Sequence, residues 1–347
     1  MYFLGDVNVV INKRPFIINT SHCNMSVKYV EKPSGTGTSL ISKKNSILSA
    51  IGEMFEREIL LSSIIYNNYY QDNIYAYSIV DEAIEKVDKN SIFALEENSY
   101  IDSCGLASHL YSEDCIKSSF EEFVERQSFI FSYLTKTPGV IIDLFIEKKY
   151  KYLHNLFPNS KYGFYNISLT NAMHVIFGKI LFNNKLYIGL GCSTNIDYAI
   201  DKCIKEILQC KYYYDVTRDI KNDKEIIDFG FANYDQLFTL LPAERMWNAY
   251  SYLDTGQKKF KSSDFKNKDF NIEKISLDLY KKYKMKPLIV YLQNLRFNSR
   301  SIKITKVIDK HWFKSLAVKS YKEEDLNFIE GVTNKKIDRR CTYIPFP

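Results

Sequence analysis

Three stretches of this chain share one arrangement of apolar and polar positions. In the first, Ile47, Ile51, Met54 and Phe55 recur at helical spacing. Ser49, Glu53 and Glu56 stand at i, i+4 and i+7 between them, on one stripe of the same helix. Ser118, Glu122 and Glu125 repeat the stripe, and Lys202, Glu206 and Gln209 repeat it again with Lys for Ser and Gln for the second Glu. Each copy follows a run of small residues, Ser34–Ser39, Cys104–Ser108 and Gly189–Thr194, which reads as a loop. A single acidic stripe beside an Arg describes the ion-paired outer face of an ordinary helix. Its return behind each small-residue run describes a repeated loop–helix unit instead.

The same patterning predicts helices over about 44–62, 113–133 and 196–213. Ser112 followed by Glu113 and Asp114 gives the second a good N-terminus. Alternation in residues 1–33 predicts two or three short strands. Residues 163–168, 172–177 and 185–190 read as strands, with Asn183-Asn184 as the hairpin turn between the last two. Residues 288–292 and 302–307 read as a closing pair. A short helix is expected at 80–88, a strand near 91–95, and a buried strand over 140–145 after Pro138-Gly139. Residues 216–285 are polar and Lys-rich, and 319–340 read as exposed loop. Frayed ends are usually polar, so the aromatic, proline-stiffened Tyr343–Pro347 is expected to be docked. The fold class is α/β of the α+β kind, with mixed or antiparallel sheets and three loop–helix units, in one domain spanning 1–347.

With 347 residues the chain can bury a sizeable core. Its formal charge of +6 is modest. Late basic runs such as Lys258-Lys259-Phe260-Lys261 read as solvated face, so nucleic acid is not an expected partner. Seven Cys, an odd number with no C-x-x-C, indicate neither a disulfide framework nor a thiolate metal site and fit a reducing cytoplasm. No signal peptide and no membrane-spanning run is evident.

If the three helices share a pocket, Glu53, Glu56, Glu122, Glu125 and Glu206 converge in it. At an effective dielectric of 20, two carboxylates about 6 Å apart repel by about 3 kcal/mol. Such a pocket needs cations. Arg57, Arg126 and Lys202 supply part of the charge, and a hard ion such as Mg²⁺ suits the rest. Glycine-rich backbone ahead of a helix N-terminus suits an anion. Together these describe a metal–nucleotide site of an uncommon kind. There is no G-x-x-x-x-G-K-[ST], since Gly178-Lys179 is followed by Ile180. Kinase loops, a G-x-S-x-G elbow and H-E-x-x-H are absent too. His174, in an apolar strand, reads as structural; His109, closing the second run, is a candidate to face the pocket.

Ser49-x-x-x-Glu53-x-x-Glu56-Arg57, Ser118-x-x-x-Glu122 and Glu206-x-x-Gln209 resemble the ATP-site motifs of the YcaO-domain family. So do Asp102–Ser108 and Gly191–Thr194, while the terminal Ile-Pro-Phe-Pro resembles the tail of azoline-forming cyclodehydratases. The likeness spans 34–209 and the last residues; the basic portion 215–340 has little to match. The resemblance implies an enzyme that uses ATP and Mg²⁺ on a ribosomally made precursor peptide. A Cys, Ser or Thr side chain attacks the preceding carbonyl, ATP phosphorylates the resulting oxyanion, and a thiazoline or oxazoline remains. It implies that Glu53, Glu56, Glu122, Glu125 and Glu206 hold Mg²⁺. It places Ser49, Arg57, Ser118, Arg126, Lys202 and Gln209 at the nucleotide, and Pro347 near the reacting amide. It further implies an E1-like leader-binding partner and a flavin-dependent azoline dehydrogenase. Thr36 stands where many relatives carry Lys, and Lys202 where some carry Arg, which keeps the charge and loses the bidentate fork. Thioamide formation, amidine closure and a non-catalytic ATP-binding scaffold are the alternative readings.

Overall fold

The structure is a computed structural model, and it describes residues 19–24, 34–39, 43–65, 73–93, 102–217, 241–259, 261–297 and 300–346. In chain order its strands are β1 (Asn19–Asn24), β2 (Ser34–Ser39), β3 (Asn73–Ser78), β4 (Ala83–Asp88), β5 (Leu106–His109) and β6 (Val140–Ile141). Then come β7 (Lys161–Asn166), β8 (His174–Phe182), β9 (Lys185–Ser193), β10 (Leu288–Phe297) and β11 (Arg300–Ile308). The helices are α1 (Lys43–Ile65), α2 (Ser112–Thr135), α3 (Asp143–Lys149), α4 (Tyr152–Leu156) and α5 (Ile196–Thr217). They continue with α6 (Ala243–Ala249), α7 (Ile272–Tyr283) and α8 (Glu323–Thr333).

The chain divides into two compact units. Met1–Phe123 with Pro287–Asp309 forms the first, and Val124–Lys286 with Lys310–Pro347 the second. The first contains the β1–β2 pair and a five-stranded antiparallel sheet in the order β4-β3-β10-β11-β5. Ala50, Met54, Phe55, Ile59 and Leu60 of α1 share one core with Ala76, Val87, Leu106, Val290 and Ile304 of that sheet. The second contains the antiparallel sheet β6-β7-β8-β9, with α5 against β9 and β8. Ala199, Ile200, Cys203, Ile204 and Ile207 of α5 are buried.

All three striped helices form, and each follows the strand made by its small-residue run. The expected loops are therefore strands: Ser34–Ser39 is β2, Leu106–His109 is β5, and Gly189–Ser193 closes β9. The physical reason is close packing. A Cβ on Gly189 would lie 2.3 Å from the Cys203 carbonyl oxygen, and one on Gly191 would lie 2.1 Å from that of Ala199. Those glycines admit the α5 backbone. Gly105 serves as a turn: its φ is +71°, and a Cβ there would meet the Val307 oxygen at 2.3 Å.

Further elements differ from expectation. Residues 83–88 form β4, not a helix, because Ser78 and Asp81 close a turn and the segment pairs with β3. The strand expected near 91–95 does not form over 91–93: Ser91 ends a 3₁₀ turn, Lys89–Ser91, capped by the Asp88 carboxylate, and Ile92 and Phe93 follow it as turn and bend; residues 94–95 lie outside the described residues. The strand after Pro138-Gly139 ends at Ile141, since Asp143 opens α3 and accepts the Phe164 N–H at 2.6 Å. Helices α6 and α7 occupy parts of 216–285, and α8 lies within the expected 319–340 loop. Asn183 and Asn184, at φ of 50° and 54°, make the predicted β8–β9 turn. The strands expected before residue 19 lie outside the described residues.

Gly191→Ala forces the α5 backbone away from β9, an overpacking expected to cost about 2 kcal/mol. The urea midpoint should fall with an unchanged slope. A midpoint equal to the parent's refutes the contact.

Candidate functional site

In the first unit the site begins on α1. Glu53 and Glu56 lie one turn apart, each partly buried. Glu56 is held by β5: the Ser108 N–H donates to its Oε1 at 2.7 Å. Burial and the Glu53 charge push its carboxyl up to about 7, against the Ser108 hydrogen bonds and Arg57. A Cβ on Gly52 would come within 2.8 Å of Ser108 Oγ, so the glycine leaves room for this lock. Arg57 is exposed and pairs with Glu53 at 2.6 Å, the simple i,i+4 ion pair of a surface helix. Ser49 and Ser118 are exposed, and Glu122 is partly buried.

The second unit contains a matching lock. Glu206 of α5 accepts the Leu190 N–H of β9 at 2.8 Å. Glu125 of α2 is buried, with Arg126 Nε 3.9 Å from its carboxylate. The charges of Glu206 and Glu125 both bear on the buried Cys203 thiol, which burial first of all holds well above its ordinary range. Lys202 is exposed and donates to the Cys192 carbonyl at 2.9 Å, and Gln209 is partly buried. Pro347 lies outside the described residues, as does the side chain at Thr36.

Among the described residues no group of three or more His, Cys, Asp or Glu is spaced to hold a metal ion. The structure brings Glu53 beside Glu56 and sets Glu125 and Glu206 around the Cys203 thiol. Mg²⁺ takes one or two carboxylates and completes its octahedron with water and phosphate oxygens. The Glu53–Glu56 pair, whose mutual repulsion helps keep a proton on Glu56, offers that donor set.

Sequence reasoning missed two residues. Ser108 was seen only as part of a loop. Lys306 is fully buried on β11, donating to the Asp102 carbonyl at 2.7 Å. Burial lowers its pKa, while Asp102, Cys104 and Glu122 pull it back up. The signal was available, because Lys306 continues the inward phase of Ile302 and Ile304. His174 is structural as expected, buried between Asn166 and the Lys266 carbonyl. His109 lies 3.5 Å from Asp114 at the start of α2. Six cysteines are free thiols among the described residues. No helix among them is long and apolar enough to cross a membrane.

No protein-family model matches the sequence, and neither does any curated protein. Solved structures do match in three dimensions. The E. coli microcin synthetase McbBCD complex contains a chain 16% identical, matched over 98% of this chain and 96% of that one, with a TM-score of 0.72. The YcaO from Methanopyrus kandleri bound with AMPPCP and Mg²⁺ is 14% identical over 87% and 85%, with a TM-score of 0.66. This chain has the YcaO-type fold. A heterocyclase in complex with substrate and cofactor matches over 98% of this chain and 54% of its own, at 14% identity and a TM-score of 0.68. At these identities the likeness is one of fold.

The raised Glu56 pKa carries a sign. Between the ordinary 4.5 and about 7, the folded chain binds more protons than the unfolded one, so stability falls as pH rises through that window. Metal-free Glu56→Gln escapes this loss. At about pH 8 it is expected to exceed the parent by on the order of 2 kcal/mol. Urea midpoints should show the advantage shrinking toward pH 4.5, and one that stays constant refutes the assignment.

Proposed function

We propose that this chain is the ATP- and Mg²⁺-dependent subunit of a peptide cyclodehydratase. It acts in the cytoplasm on Cys, Ser or Thr residues of a ribosomal precursor peptide and yields thiazolines or oxazolines. The observation that carries the reading is the matching pair of locks. In a chain of YcaO-type fold, Glu56 and Glu206 each leave a striped helix to accept a strand N–H. Those hydrogen bonds aim the motif carboxylates before any ligand arrives. The M. kandleri structure is bound with AMPPCP and Mg²⁺, which supports the same ligands here.

The residues divide by chemistry. Glu53, Glu56, Glu122, Glu125 and Glu206 are the oxygen donors for Mg²⁺, and one oxygen each of Glu56 and Glu206 is already committed to backbone. Arg57, Arg126 and Lys202 bring positive charge to phosphate oxygens, with Ser49, Ser118 and Gln209 as neutral hydrogen-bonding groups. The Arg57–Glu53 pair is exposed and contributes little to the fold, so Arg57 can turn to a phosphate at small cost. Bound Mg-ATP supplies the phosphoryl group that turns the peptide amide oxygen into a leaving group, with ADP and phosphate as by-products. The protein's part is positioning and charge neutralisation. Pro347, following the buried Ile344 and Phe346, is assigned to the reacting amide.

A multi-protein setting fits this reading, since the E. coli neighbour is a synthetase complex and has also been seen with pro-MccB17 bound. We assign an E1-like leader-binding protein and a flavin-dependent azoline dehydrogenase as partners.

The test is the intact mass of a precursor peptide made together with this chain and its partners. Loss of one water per modified Cys, Ser or Thr is expected, and loss of two further hydrogens per ring where the dehydrogenase acts. Glu53→Ala should lower peptide-dependent phosphate release by about 100-fold or more with the fold retained. Exchange of sulfur for oxygen in the peptide would assign thioamide chemistry instead. Unchanged peptide beside intact Mg-ATP binding would make the chain a scaffold.

A further inference from the structure

The net charge of the chain is concentrated in one segment. Residues 258–286 hold ten Lys against Asp264, Asp269, Glu273 and Asp278, a net +6 that equals the formal charge of the whole chain. No Arg occurs among them. The reaction proposed above makes no use of these lysines.

The second unit displays them along a strap and a helix. The Ile141 N–H donates to the Gln257 carbonyl at 2.6 Å and the Lys259 N–H to the Ile141 carbonyl at 2.8 Å, so the strap starts beside β6 at one edge of its sheet. It then reaches the opposite edge, where the Lys268 N–H donates to the Thr194 carbonyl at 3.1 Å just past β9. Between Lys266 and Lys268, Asn267 accepts the Ile196 N–H at the start of α5 at 3.1 Å. These bonds fasten the strap by its backbone and by Asn267, and the side chains of Lys266 and Lys268 stay exposed.

After the strap comes α7, opened by the Asn271 carboxamide accepting the Lys274 N–H at 2.7 Å. Its inner side is fixed by the buried Ile275 and Leu279 and by the Tyr283 hydroxyl, which donates to the Leu169 carbonyl at 2.9 Å. Lys274, Leu277 and Lys281 recur at i, i+3 and i+7 on the outer side. Leu277 and the neighbouring Tyr280 are 41% and 36% exposed. Lys282 pairs with Asp278 at 3.0 Å. Among the described residues, Lys266, Lys268, Lys274 and Lys281 are exposed with no carboxylate at salt-bridge distance. A solvated helix face alternates both signs and pairs them. Here positive charge is left over, and apolar side chains stand among it.

We propose that the strap and the outer side of α7 form a docking surface for an acidic polypeptide segment of a partner protein. Asp and Glu of that segment meet the lysines, and its apolar side chains meet Leu277 and Tyr280. Charge complementarity selects an acidic occupant, and the residue types select a polypeptide. Arg, with its planar fork, is the residue that grips phosphates and base edges, and the segment has none. A membrane would take up the apolar side of an amphipathic helix, and that side of α7 is buried in the protein. Lysine, a point charge on a flexible stem, suits carboxylates arriving from varied directions.

The test is fluorescence anisotropy with a short labelled peptide of Glu and Leu, beside polyglutamate, poly(A) RNA and phosphatidylserine vesicles. The Glu/Leu peptide should bind more tightly than polyglutamate of equal charge, and both should weaken as salt rises. Lys268→Glu with Lys281→Glu should weaken the peptide about tenfold, the scale of two exposed ion pairs lost and two repulsions gained. Lys44→Glu with Lys86→Glu reverses two exposed lysines of the first unit and should change binding by less than about twofold. Leu277→Ser should weaken the Glu/Leu peptide about threefold and leave polyglutamate unchanged. Absence of peptide binding overturns the proposal, as does an equal loss in the two double variants or an equal effect of Leu277→Ser on both polymers. Tighter binding of the RNA or the vesicles than of the peptide overturns it as well. All the substituted side chains are exposed or partly exposed, and urea midpoints equal to the parent's will show the fold retained.

Discussion

Because Gly189 and Gly191 carry no side chains, β9 lies near enough to α5 for the Glu206 carboxylate to reach the Leu190 amide. The Gly52–Ser108 approach does the same for Glu56. Backbone contact at this range is what turns a flexible three-bond side chain into an aimed oxygen. One oxygen is tied to the strand, and the other is left in a fixed direction. A carboxylate held this way has few rotamers left to lose, the kind of pre-organisation that electrostatic sites rely on. The elevated proton affinity of Glu56 follows from the same burial that aims it.

The helices were legible because their period is written in apolar side chains. Ile51, Met54 and Phe55 mark the inner face of α1, and Glu53 and Glu56 fall where the stripe requires. The β8–β9 hairpin was legible because Asn183 and Asn184 both tolerate positive φ. The small-residue runs were seen but misread. Ser34–Ser39 and Gly189–Ser193 are dominated by Gly and Ser, residues that favour turns over strands, although each run pairs in a sheet. Asp143 cut short the strand at 140–145 through a tertiary bond to the Phe164 amide, and no local pattern encodes that partner. Lys306 shows a different limit: its alternation gave its direction, but a lysine in an inward phase carries no indication of which carbonyl receives it.

The ion pair of Arg57 with Glu53 shows how a plain and a functional reading can coexist. Spacing of i,i+4 yields such a pair on any exposed helix, and pairs of this kind are worth about 0.2–1 kcal/mol. Here the carboxylate partner also repels its neighbour Glu56 one turn further along α1. The arginine thus supplies a counter-charge on the exposed side of α1, away from the core beneath it.

The glycine contacts of β9 have a mechanical consequence. With carbonyls of α5 lying where Cβ atoms would otherwise stand, strand and helix have no cushion of side chains across which to slide. They behave as one stiff lever. Any displacement of the β9 end carries the α5 carboxylate with it, with almost no slack. Motion of this sheet would therefore reach Glu206 as a change in position and not as a change in rotamer.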